Sequence, residues 1–583
     1  MSEVNLAVPV GNPNKINGFA HHHYGTTVKK RCLIMKNKQI YDPRNITKTL
    51  LWLILAVAVL LVVIVRIRLL DFPLERDEGE YAYAGQLMLQ GTPPYQLAYN
   101  MKMPGVYVAY ALIMAIFGQT TAGIHLGLIM VNIATAVLVF FLAKRVGDFA
   151  GAVIASSVYI LLSVSPAMLG MAGHATHFVL LPAVAGLLAL LRALERNEKT
   201  TLFLSGFLFG LAFLMKQHGV FFGLFGGLYL IGFDWKTLPA SWKRVAVRGA
   251  LYSAGAILPF GLLCLWLVCA GVFDTFWFWT VSYGRQYVSQ VPLAVAAKLF
   301  PASFAGVLQS GPLLWLLAGA GIILLTLRWK AYRYRFFLTG LLLFSFLAIC
   351  PGFYFREHYF ILLLPVISLW VGLAVSWALS IEGRKGIVTL LLFTFACGQA
   401  VYSQRDFMFH LSPDEACRAV YGANPFPEAV KIAEYIKQHA SKDATIAVLG
   451  SEPEIFFYSK LKSSTGHIYT YGLMEPQPYA LTMQQQMIRE IEAAKPEYIV
   501  FVNISTSWLV RPQSNKLIFD WFTRYTKENL EPVGLVDILS ETETKYYWDL
   551  QKQSRSPQSP YFITVFKCRT ASKILGSGKN AEP

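Results

Sequence analysis

Charged residues are scarce in this chain of 583 residues, since Asp, Glu, Lys and Arg make up only 15% of it and hydrophobic residues 55%. Soluble domains carry about 25% charged residues, so the scarcity excludes an ordinary water-soluble protein. Basic residues outnumber acidic ones, 51 to 34, but they stand in short clusters between apolar runs. That distribution argues against a nucleic-acid partner, which would need a continuous basic face.

Cysteine pairs with the spacing of a zinc or redox site are also missing. The seven cysteines lie scattered without a CxxC motif, which excludes the common structural zinc sites. Cys417 and Cys568 lie in the polar C-terminal part, and the sequence does not decide whether they pair. We read His21 to His23 as part of a polar tail, although histidine runs can bind metal. We therefore expect no cofactor, although Asp77, Glu78 and Glu80 offer oxygen ligands for a divalent ion.

Long apolar runs are what the chain has in abundance. They recur between Leu50 and Tyr402, and each is long enough to cross a hydrocarbon core about 30 Å thick. Clusters of Lys and Arg mark the cytoplasmic side, so the basic stretch before Leu50 predicts a cytoplasmic N-terminus. The short run 104–118 is read as an interfacial helix, because a full crossing there would put Lys144 and Arg145 outside. About eleven crossings follow: 50–67, 122–142, 149–168, 177–192, 200–215, 219–233, 249–271, 311–327, 336–350, 359–379 and 386–402.

The predicted fold is an α-helical polytopic membrane protein with a C-terminal α/β domain on the outer side. The predicted parts are a basic cytoplasmic tail (1–48), a membrane domain (49–402) whose first outer loop is 71–121, and the α/β domain (403–583). In the last part, helical patterns at 427–439 and 483–494 alternate with strand-like runs at 445–449 and 498–502. The turn 450–454 follows the first of these strands, where α/β sheets place ligands, but an ordinary strand-to-helix turn has the same pattern.

Polar residues concentrate in the predicted outer segments. Four acids lie between Glu75 and Glu80, and Asp77, Glu80 and Tyr81 would share one face of a short helix. Acids favour a helix start, but anionic lipid head groups repel such a cluster beside a membrane. Lys102, Lys216 and the segment 356–359 lie at other outer helix ends, where single cations also serve as membrane anchors.

An acidic loop and several cations at one depth suit a reaction in which a hydroxyl loses its proton while a phosphate leaves. A carboxylate can accept the proton, and Lys, Arg or His can stabilise the departing anion. Arginine suits a phosphate especially well, because its planar fork donates two parallel hydrogen bonds.

Three strings of the first outer loop carry a family resemblance: Arg76 to Ala82, Gly91 to Tyr95, and Met101 to Gly105. They resemble the corresponding loop of the GT-C glycosyltransferases, above all glycosyltransferase family 39, the protein O-mannosyltransferase-like group that includes the lipid A aminoarabinose transferase. The resemblance implies an inverting glycosyltransferase of the bacterial inner (plasma) membrane. Such an enzyme moves a sugar from a polyprenyl-phosphate carrier to a lipid, glycan or protein acceptor on the outer, periplasmic side.

The resemblance also implies roles for individual residues. Asp77 matches the family's loop aspartate, a general base or acceptor-positioning carboxylate, and Glu78 stands beside it as a second catalytic candidate. Lys102 matches the loop lysine that contacts the donor phosphate. Further candidates for the donor phosphate are Lys216, Arg356 and His358. Candidates for binding the acceptor or the sugar are Glu80, Tyr81, His174, His177 and Tyr359.

The chain departs from the family pattern at two places. The family usually has Lys-Pro-Pro where this chain has Lys102, Met103 and Pro104. It often has a second acid in the next outer turn, where this chain has His174 and His177. Either His177 takes a related polar role, or the acceptor is bound differently, or the two histidines only cap a helix.

Two other functions compete with a monosaccharide transferase. A transporter would also need many helices, but transporters place charged residues near the bilayer midplane and often show repeated halves, and neither feature is found in this sequence. A polymerase or ligase that transfers whole lipid-linked glycans is the second alternative. The small acidic loop with its lysine favours a monosaccharide donor, by resemblance alone.

Overall fold

The structure is a computed structural model that describes residues 43–237, 241–382, 386–550 and 555–569. By compactness the chain divides into two units, Met1–Leu53 and Ile54–Pro583. The described part of the first unit is the start of one long helix. The basic tail predicted for 1–48 lies almost entirely outside the described residues, as do His21 to His23.

Helices dominate the described residues as far as residue 402. In chain order they are α1 (Pro43–Arg68), α2 (Arg76–Leu89), α3 (Gly105–Phe117), α4 (Thr121–Val146), α5 (Phe149–Leu162), α6 (Ala175–Arg196), α7 (Lys199–Met215), α8 (Val220–Thr237), α9 (Trp242–Cys269), α10 (Phe273–Trp277), α11 (Gly284–Val288), α12 (Leu293–Leu308), α13 (Pro312–Leu327), α14 (Arg335–Ile349), α15 (Leu364–Glu382) and α16 (Gly386–Tyr402). A 3-10 helix, Glu357–Leu363, leads into α15, and a π-helix, Phe278–Tyr283, joins α10 to α11.

Five of the described helical segments are long and apolar enough to cross a membrane: Thr47–Arg68, Thr121–Val146, Ala175–Arg196, Trp242–Cys269 and Glu357–Ile381. Six shorter helices of 10–17 residues are also apolar, and each predicted crossing coincides with a helix. A polytopic helical membrane protein is therefore confirmed, whereas the number of crossings stays a prediction. The predicted interfacial helix is α3, which ends at Phe117.

The predicted outer loop 272–310 is not a plain loop. It contains the helical segment Phe273–Val288 and α12, which meet at an angle of 90°. Pro292 directly precedes α12 and is in an extended conformation. Proline has no backbone N–H to continue the hydrogen bonds of a preceding helix, so it separates the two helical segments. The sequence pattern missed these helices since their aromatic and polar residues interrupt the apolar run.

The C-terminal part holds a six-stranded sheet with helices around it. The strands are β1 (Thr445–Leu449), β2 (Lys462–Ser463), β3 (Tyr498–Asn503), β4 (Leu530–Ile538), β5 (Thr544–Trp548) and β6 (Phe562–Cys568), in the order β2-β1-β3-β6-β4-β5. The helices are α17 (Pro413–Tyr421), α18 (Phe426–His439), α19 (Glu454–Ser459), α20 (Tyr471–Met474), α21 (Ala480–Ala494), α22 (Ser505–Trp508) and α23 (Leu517–Asn529).

The α/β prediction for this part is confirmed. Strand β1 pairs in parallel with β2 and β3, in the register Ile446↔Tyr498, whereas β6 is antiparallel to β3. Both predicted helices and both predicted strands are present as α18, α21, β1 and β3. Cys417 and Cys568 are both free thiols.

Helix α2, called the acidic helix below, begins at a capping carboxylate. The Glu75 side chain accepts a hydrogen bond from the Glu78 N–H at 3.0 Å, which satisfies one of the donors that a helix start leaves open. Along its buried side the acidic helix packs on the C-terminal part, where the rings of Tyr83 and Phe456 lie 5.1 Å apart. Such an aromatic pair adds about 0.5–1.5 kcal/mol beyond its buried area. The C-terminal part therefore helps to fix the orientation of this helix.

Candidate active site

The acidic helix and Lys102 form a buried carboxylate–ammonium cluster. Lys102 Nζ lies 2.6 Å from Asp77 Oδ1 and 2.7 Å from Glu80 Oε2. Asp77 and Glu80 reach the same cation because residues three apart share a helix face, as the sequence predicted. Glu80 also accepts hydrogen bonds from Asn100 and Tyr107. An ammonium has three donors, so two carboxylates leave one N–H of Lys102 for a further ligand.

The charges of this cluster shift the acidity of its members. Burial alone would raise the pKa of Asp77, but the ammonium of Lys102 and the nearby His174 outweigh burial and hold it well below its ordinary value. Burial would also lower the pKa of Lys102, yet Asp77 and Glu80 raise it. Glu75 has no lysine partner, so burial together with the charge of Asp77 outweighs the nearby His174 and raises the pKa of Glu75 to about 7. Asp77 and Lys102 are therefore a stable ion pair at neutral pH.

A cavity of about 450 Å³ opens beside this ion pair. Seven residues predicted for the site line it: Asp77, Tyr81, Lys102, Lys216, Arg356, His358 and Tyr359. Much of the remaining wall is apolar and includes Met103, Met215, Trp279, Val281 and Val288. We call this space the first cavity.

Among the described residues, two partly buried cations of the first cavity have no carboxylate partner, and neither has the exposed Arg285. Among the described residues, no carboxylate lies within ion-pair distance of Lys216 or Arg356. Their contacts are with aromatic faces, Lys216 Nζ at 4.2 Å from the Tyr359 ring centre and the Arg356 guanidinium at 5.5 Å from that of Tyr354. Partly buried cations without partners are costly, and an anion in the first cavity would satisfy both.

A second cavity, of about 670 Å³, adjoins the first. It is lined by Glu75, His174, Glu357 and the C-terminal residues Tyr421 and Asn424, among others. Five residues border both cavities: Asp77, Arg356, His358, Tyr469 and Tyr471. Asp77 thus lies where the two spaces meet, an arrangement that suits the transfer of a group from one ligand to another.

Two buried histidines stack beside Asp77. The rings of His174 and His358 lie parallel, with centres 4.0 Å apart and an angle of 9° between their planes. His174 Nδ1 lies 3.6 Å from Glu75 Oε1 and 3.8 Å from Asp77 Oδ2. Asp77, His174 and His358 each offer a ligand atom, and these atoms lie within 4.8 Å of one another. These three residues are a candidate position for a metal ion, whereas the sequence predicted no metal and offered only carboxylates as possible ligands.

Comparison with known proteins shows which fold this chain shares. The family model for dolichyl-phosphate-mannose-protein mannosyltransferases matches residues 101–262, a segment that contains Lys102, His174 and Lys216. No curated protein sequence matches the chain significantly. Among solved structures, ArnT from Cupriavidus metallidurans bound to undecaprenyl phosphate is similar over 89% of this chain and 98% of its own, at 15% identity and a TM-score of 0.56.

A second solved structure shares the fold more distantly. The archaeal oligosaccharyltransferase AglB from Archaeoglobus fulgidus, in complex with an inhibitory peptide and a dolichol-phosphate, is similar over 87% of this chain and 75% of its own. Its identity to this chain is 13% and its TM-score 0.50. The chain has the GT-C fold. At these identities the likeness establishes the architecture, and the chemistry has to be argued from the side chains.

Three predicted site residues line neither cavity: Glu78, Glu80 and His177. Glu78 is fully buried and accepts a hydrogen bond from the Gly173 N–H at 2.5 Å, while His125 Nε2 approaches it to 3.3 Å. Its position next to Asp77 turns it about 100° around the helix axis, so the prediction that it lies beside Asp77 in the site is corrected. His177 is likewise buried, with Nδ1 3.1 Å from Asn132 Oδ1.

The candidate site also includes residues that the sequence did not single out, and most lie in the C-terminal part. The hydroxyl of Tyr469 donates to Asp77 Oδ1 at 3.2 Å, and its ring faces Lys102 Nζ at 5.2 Å. The guanidinium of Arg76 donates to the Ser451 carbonyl and to Glu452 of the turn 450–454. That turn holds the acidic helix and lines neither cavity. No sequence signal connects residues about 390 positions apart in an unaligned chain.

Proposed function

We propose that this protein is a glycosyltransferase that moves a sugar from a polyprenyl-phosphate carrier to an acceptor on the outer face of a membrane. The observation that carries the proposal is the pair of unpartnered cations, Lys216 and Arg356, in an apolar-walled cavity next to the Asp77–Lys102 ion pair. The phosphate of a lipid-linked sugar supplies the missing anion, and its chain suits the apolar wall. Similar solved structures that hold undecaprenyl phosphate and dolichol-phosphate support this class of donor.

The two cavities assign one ligand to each side of Asp77. The donor occupies the first cavity, with its phosphate against Arg356, Lys216 and the remaining N–H of Lys102. The acceptor occupies the second cavity and brings a hydroxyl to Asp77. Glu80 holds Lys102 in place through their 2.7 Å ion pair, so Glu80 acts through the lysine rather than on the sugar.

The reaction is a single displacement at the anomeric carbon. The acceptor oxygen forms a bond to that carbon, the bond from the carbon to the phosphate oxygen breaks, and the polyprenyl phosphate leaves with the electron pair. The proton of the acceptor hydroxyl passes to the Asp77 carboxylate as the new bond forms. The three cations stabilise the negative charge that develops on the leaving phosphate. One displacement on the face opposite the leaving group inverts the anomeric configuration.

The first experiment compares the membrane lipids of host cells that express the intact chain or Asp77→Asn at equal membrane levels. The host must make detectable polyprenyl-phosphate sugars. We expect mass spectrometry to show that the intact chain consumes one such donor and that cells with the variant accumulate it. The identity of that lipid also names the sugar.

Asp71→Asn is the matched control, because Asp71 is an exposed carboxylate of the same outer loop that lines neither cavity. Cells with this control should resemble those with the intact chain. Identical lipid profiles for the intact chain and Asp77→Asn would overturn the proposal and direct attention to solute transport.

A further inference from the structure

A third cavity lies in the C-terminal part and adjoins the second one. Its volume is about 560 Å³, and Thr506 and Leu509 line both spaces. The third cavity lies where β3 ends, since its wall includes Phe501 and Asn503 of that strand and residues of α22. Open α/β sheets place ligands outside the carboxyl ends of their parallel strands. Because β3 runs parallel to β1, the third cavity has a position typical of a ligand site.

The wall of the third cavity is aromatic and uncharged. The described residues that line it include no charged side chain, and four of them are aromatic: Phe501, Trp508, Phe519 and Tyr561. The Trp508 indole is fixed, because Nε1 donates to the Val502 carbonyl at 2.8 Å and the ring centre lies 4.6 Å from that of Phe519. Tyr561 is 41% exposed, so a ligand can reach its ring.

Amide and hydroxyl groups complete this wall. Asn503 donates through Nδ2 to the Pro560 carbonyl at 3.0 Å, which fixes the amide and leaves its side-chain oxygen without a partner among the described residues. Ser505 and Thr506 are exposed and line the same cavity. Such groups donate and accept hydrogen bonds without carrying a charge. Aromatic rings together with neutral polar groups suit a sugar, since a sugar ring has apolar C–H faces and a rim of hydroxyls.

The charges of the second cavity disfavour an acidic acceptor. Three carboxylates line it: Glu75, Asp77 and Glu357. Of its two arginines, Arg76 is paired with Glu452, and Arg356 faces the donor phosphate in the proposed reaction. An acceptor that carried a phosphate or carboxylate group would therefore meet like charges in the second cavity.

We propose that the third cavity binds an uncharged oligosaccharide, the part of the acceptor that follows the sugar at Asp77. This inference rests on the proposed transfer and adds the chemical class of the acceptor. Each of the two adjoining cavities has the volume of an ordinary small-ligand site, about 300–1,000 Å³, so together they suit an acceptor longer than one sugar. The terminal sugar brings its hydroxyl to Asp77, and the sugars behind it lie against the aromatic wall.

A peptide fits the third cavity less well than an oligosaccharide. Extended peptides bind by adding a strand to an open sheet edge. Strand β3 pairs with β1 on one side and with β6 on the other, so the strand that borders the cavity has no open edge. A peptide acceptor is therefore the alternative that the test must exclude.

The test places a photo-crosslinker in the third cavity of the full-length protein, in the host cells used for the lipid experiment. Tyr561→p-benzoylphenylalanine keeps an aromatic side chain in the wall, and irradiation joins it to a C–H group that it contacts. Asp77→Asn in the same chain prevents consumption of the acceptor. The proteolytic peptide that contains residue 561 is then analysed by mass spectrometry.

We expect this peptide to gain mass in increments of uncharged sugar residues. Added amino-acid residues, an added acyl chain or the lack of any adduct would each overturn the proposal. Tyr547→p-benzoylphenylalanine is the matched control, because Tyr547 is a partly exposed tyrosine of the same sheet that lines none of the three cavities. Equal sugar adducts at the two positions would also overturn the proposal.

Failure of this inference and failure of the proposed transfer give different results. If the intact chain consumes a donor lipid but residue 561 captures no sugar, the oligosaccharide site is wrong and the transfer stands. If residue 561 captures sugars but no donor lipid is consumed, the transfer is wrong and an oligosaccharide-binding site remains.

Kinetics with the captured glycan as acceptor provide a second measurement. Tyr561→Ala should raise the KM for this glycan roughly tenfold with a much smaller change in kcat, because it removes binding that substrate and transition state share. Tyr547→Ala should leave this KM as it is in the intact chain. Equal KM values for Tyr561→Ala and Tyr547→Ala would contradict the assignment of the third cavity to the acceptor.

Discussion

The acidic helix contributes residues to two clusters of charged side chains. The two clusters contain similar residue types but differ in their access to the cavities. On one side, Asp77 and Glu80 surround Lys102, and on the other, Glu452 is paired with Arg76 at 3.2 Å. Asp77 and Lys102 keep 17% and 19% of their side-chain surface exposed and border the cavities. Glu452 and Glu454 are fully buried. We call the first set the cavity cluster and the turn 450–454 with Arg76 the anchoring cluster.

The comparison teaches that access, rather than residue type, separates chemistry from support in this protein. Asp77 of the cavity cluster borders both cavities and can meet a ligand, whereas Glu80 is fully buried and holds Lys102. In the anchoring cluster, burial and the charge of Glu452 raise the pKa of Glu454 well above its ordinary value. Its role is to fill the space beside Gly79 and support the helix that carries Asp77.

The largest effect should come from breaking the anchoring ion pair. Arg76→Met leaves the Glu452 charge buried with only the Ser507 hydroxyl as a side-chain partner. Removing one member of a buried pair costs about 3–5 kcal/mol, and we expect this loss in denaturant unfolding in detergent. The double variant Arg76→Met/Glu452→Met should lose less than Arg76→Met alone. A loss of less than about 1 kcal/mol in the free energy of unfolding would show that this ion pair does not stabilise the fold.

A smaller effect should follow from adding one methyl group between the acidic helix and the turn. A Cβ at Gly79 would lie 2.6 Å from the backbone nitrogen of Glu454, so Gly79→Ala must push the two segments apart. Overpacking of this kind costs about 1–3 kcal/mol, and the displaced helix should also lower transfer. Gly261→Ala is the control, because nothing lies within 4 Å of its added Cβ. Equal stability of the two variants would contradict the close approach.

The contribution of Lys216 to binding of the donor phosphate can be tested by changing the pH. Burial lowers the pKa of Lys216 from 10.5 to about 7, so its ammonium is charged below pH 7 and neutral above it. Affinity for a methyl diester of polyprenyl phosphate, whose single charge does not change over this range, should fall as pH rises from about 6 to 8. The affinity should fall roughly tenfold, which corresponds to about 1.4 kcal/mol of binding free energy.

Lys216→Arg provides the comparison for this measurement, because arginine stays charged throughout. Its affinity for the same diester should be nearly constant with pH. Parallel pH profiles for the two proteins would mean that Lys216 does not contact the phosphate.

The smallest effect should come from the bond that joins the C-terminal part to the cavity cluster. Tyr469→Phe removes one hydroxyl that donates to Asp77 at 3.2 Å, a bond worth about 0.5–1.5 kcal/mol. We expect the rate of transfer to fall roughly three- to tenfold with little change in stability. Tyr471→Phe is the control, since its hydroxyl donates to the Thr506 carbonyl instead. Equal rates for the two variants would show that Tyr469 does not orient Asp77.

Parts of this site could be predicted because they depend on local periodicity. The three-residue spacing of Asp77 and Glu80 places both on one helix face, and Lys102 joins them from the same loop. Glu78 could not be separated from Asp77 by the resemblance alone, since adjacent residues look equivalent in a short motif. In a helix they point about 100° apart, and the packing against Gly173 decides which of them reaches the cavity.

The sequence by itself determined that this is a helical membrane protein with an α/β C-terminal part, because hydrophobic length and periodicity are local properties of the chain. It also determined which cations and carboxylates the first outer loop contains. Only the tertiary structure decided which of them remain unpaired, that Tyr469 reaches Asp77, and that His174 and His358 stack beside it. Pairing, burial and cavity walls depend on contacts between segments hundreds of residues apart, and no local pattern records them.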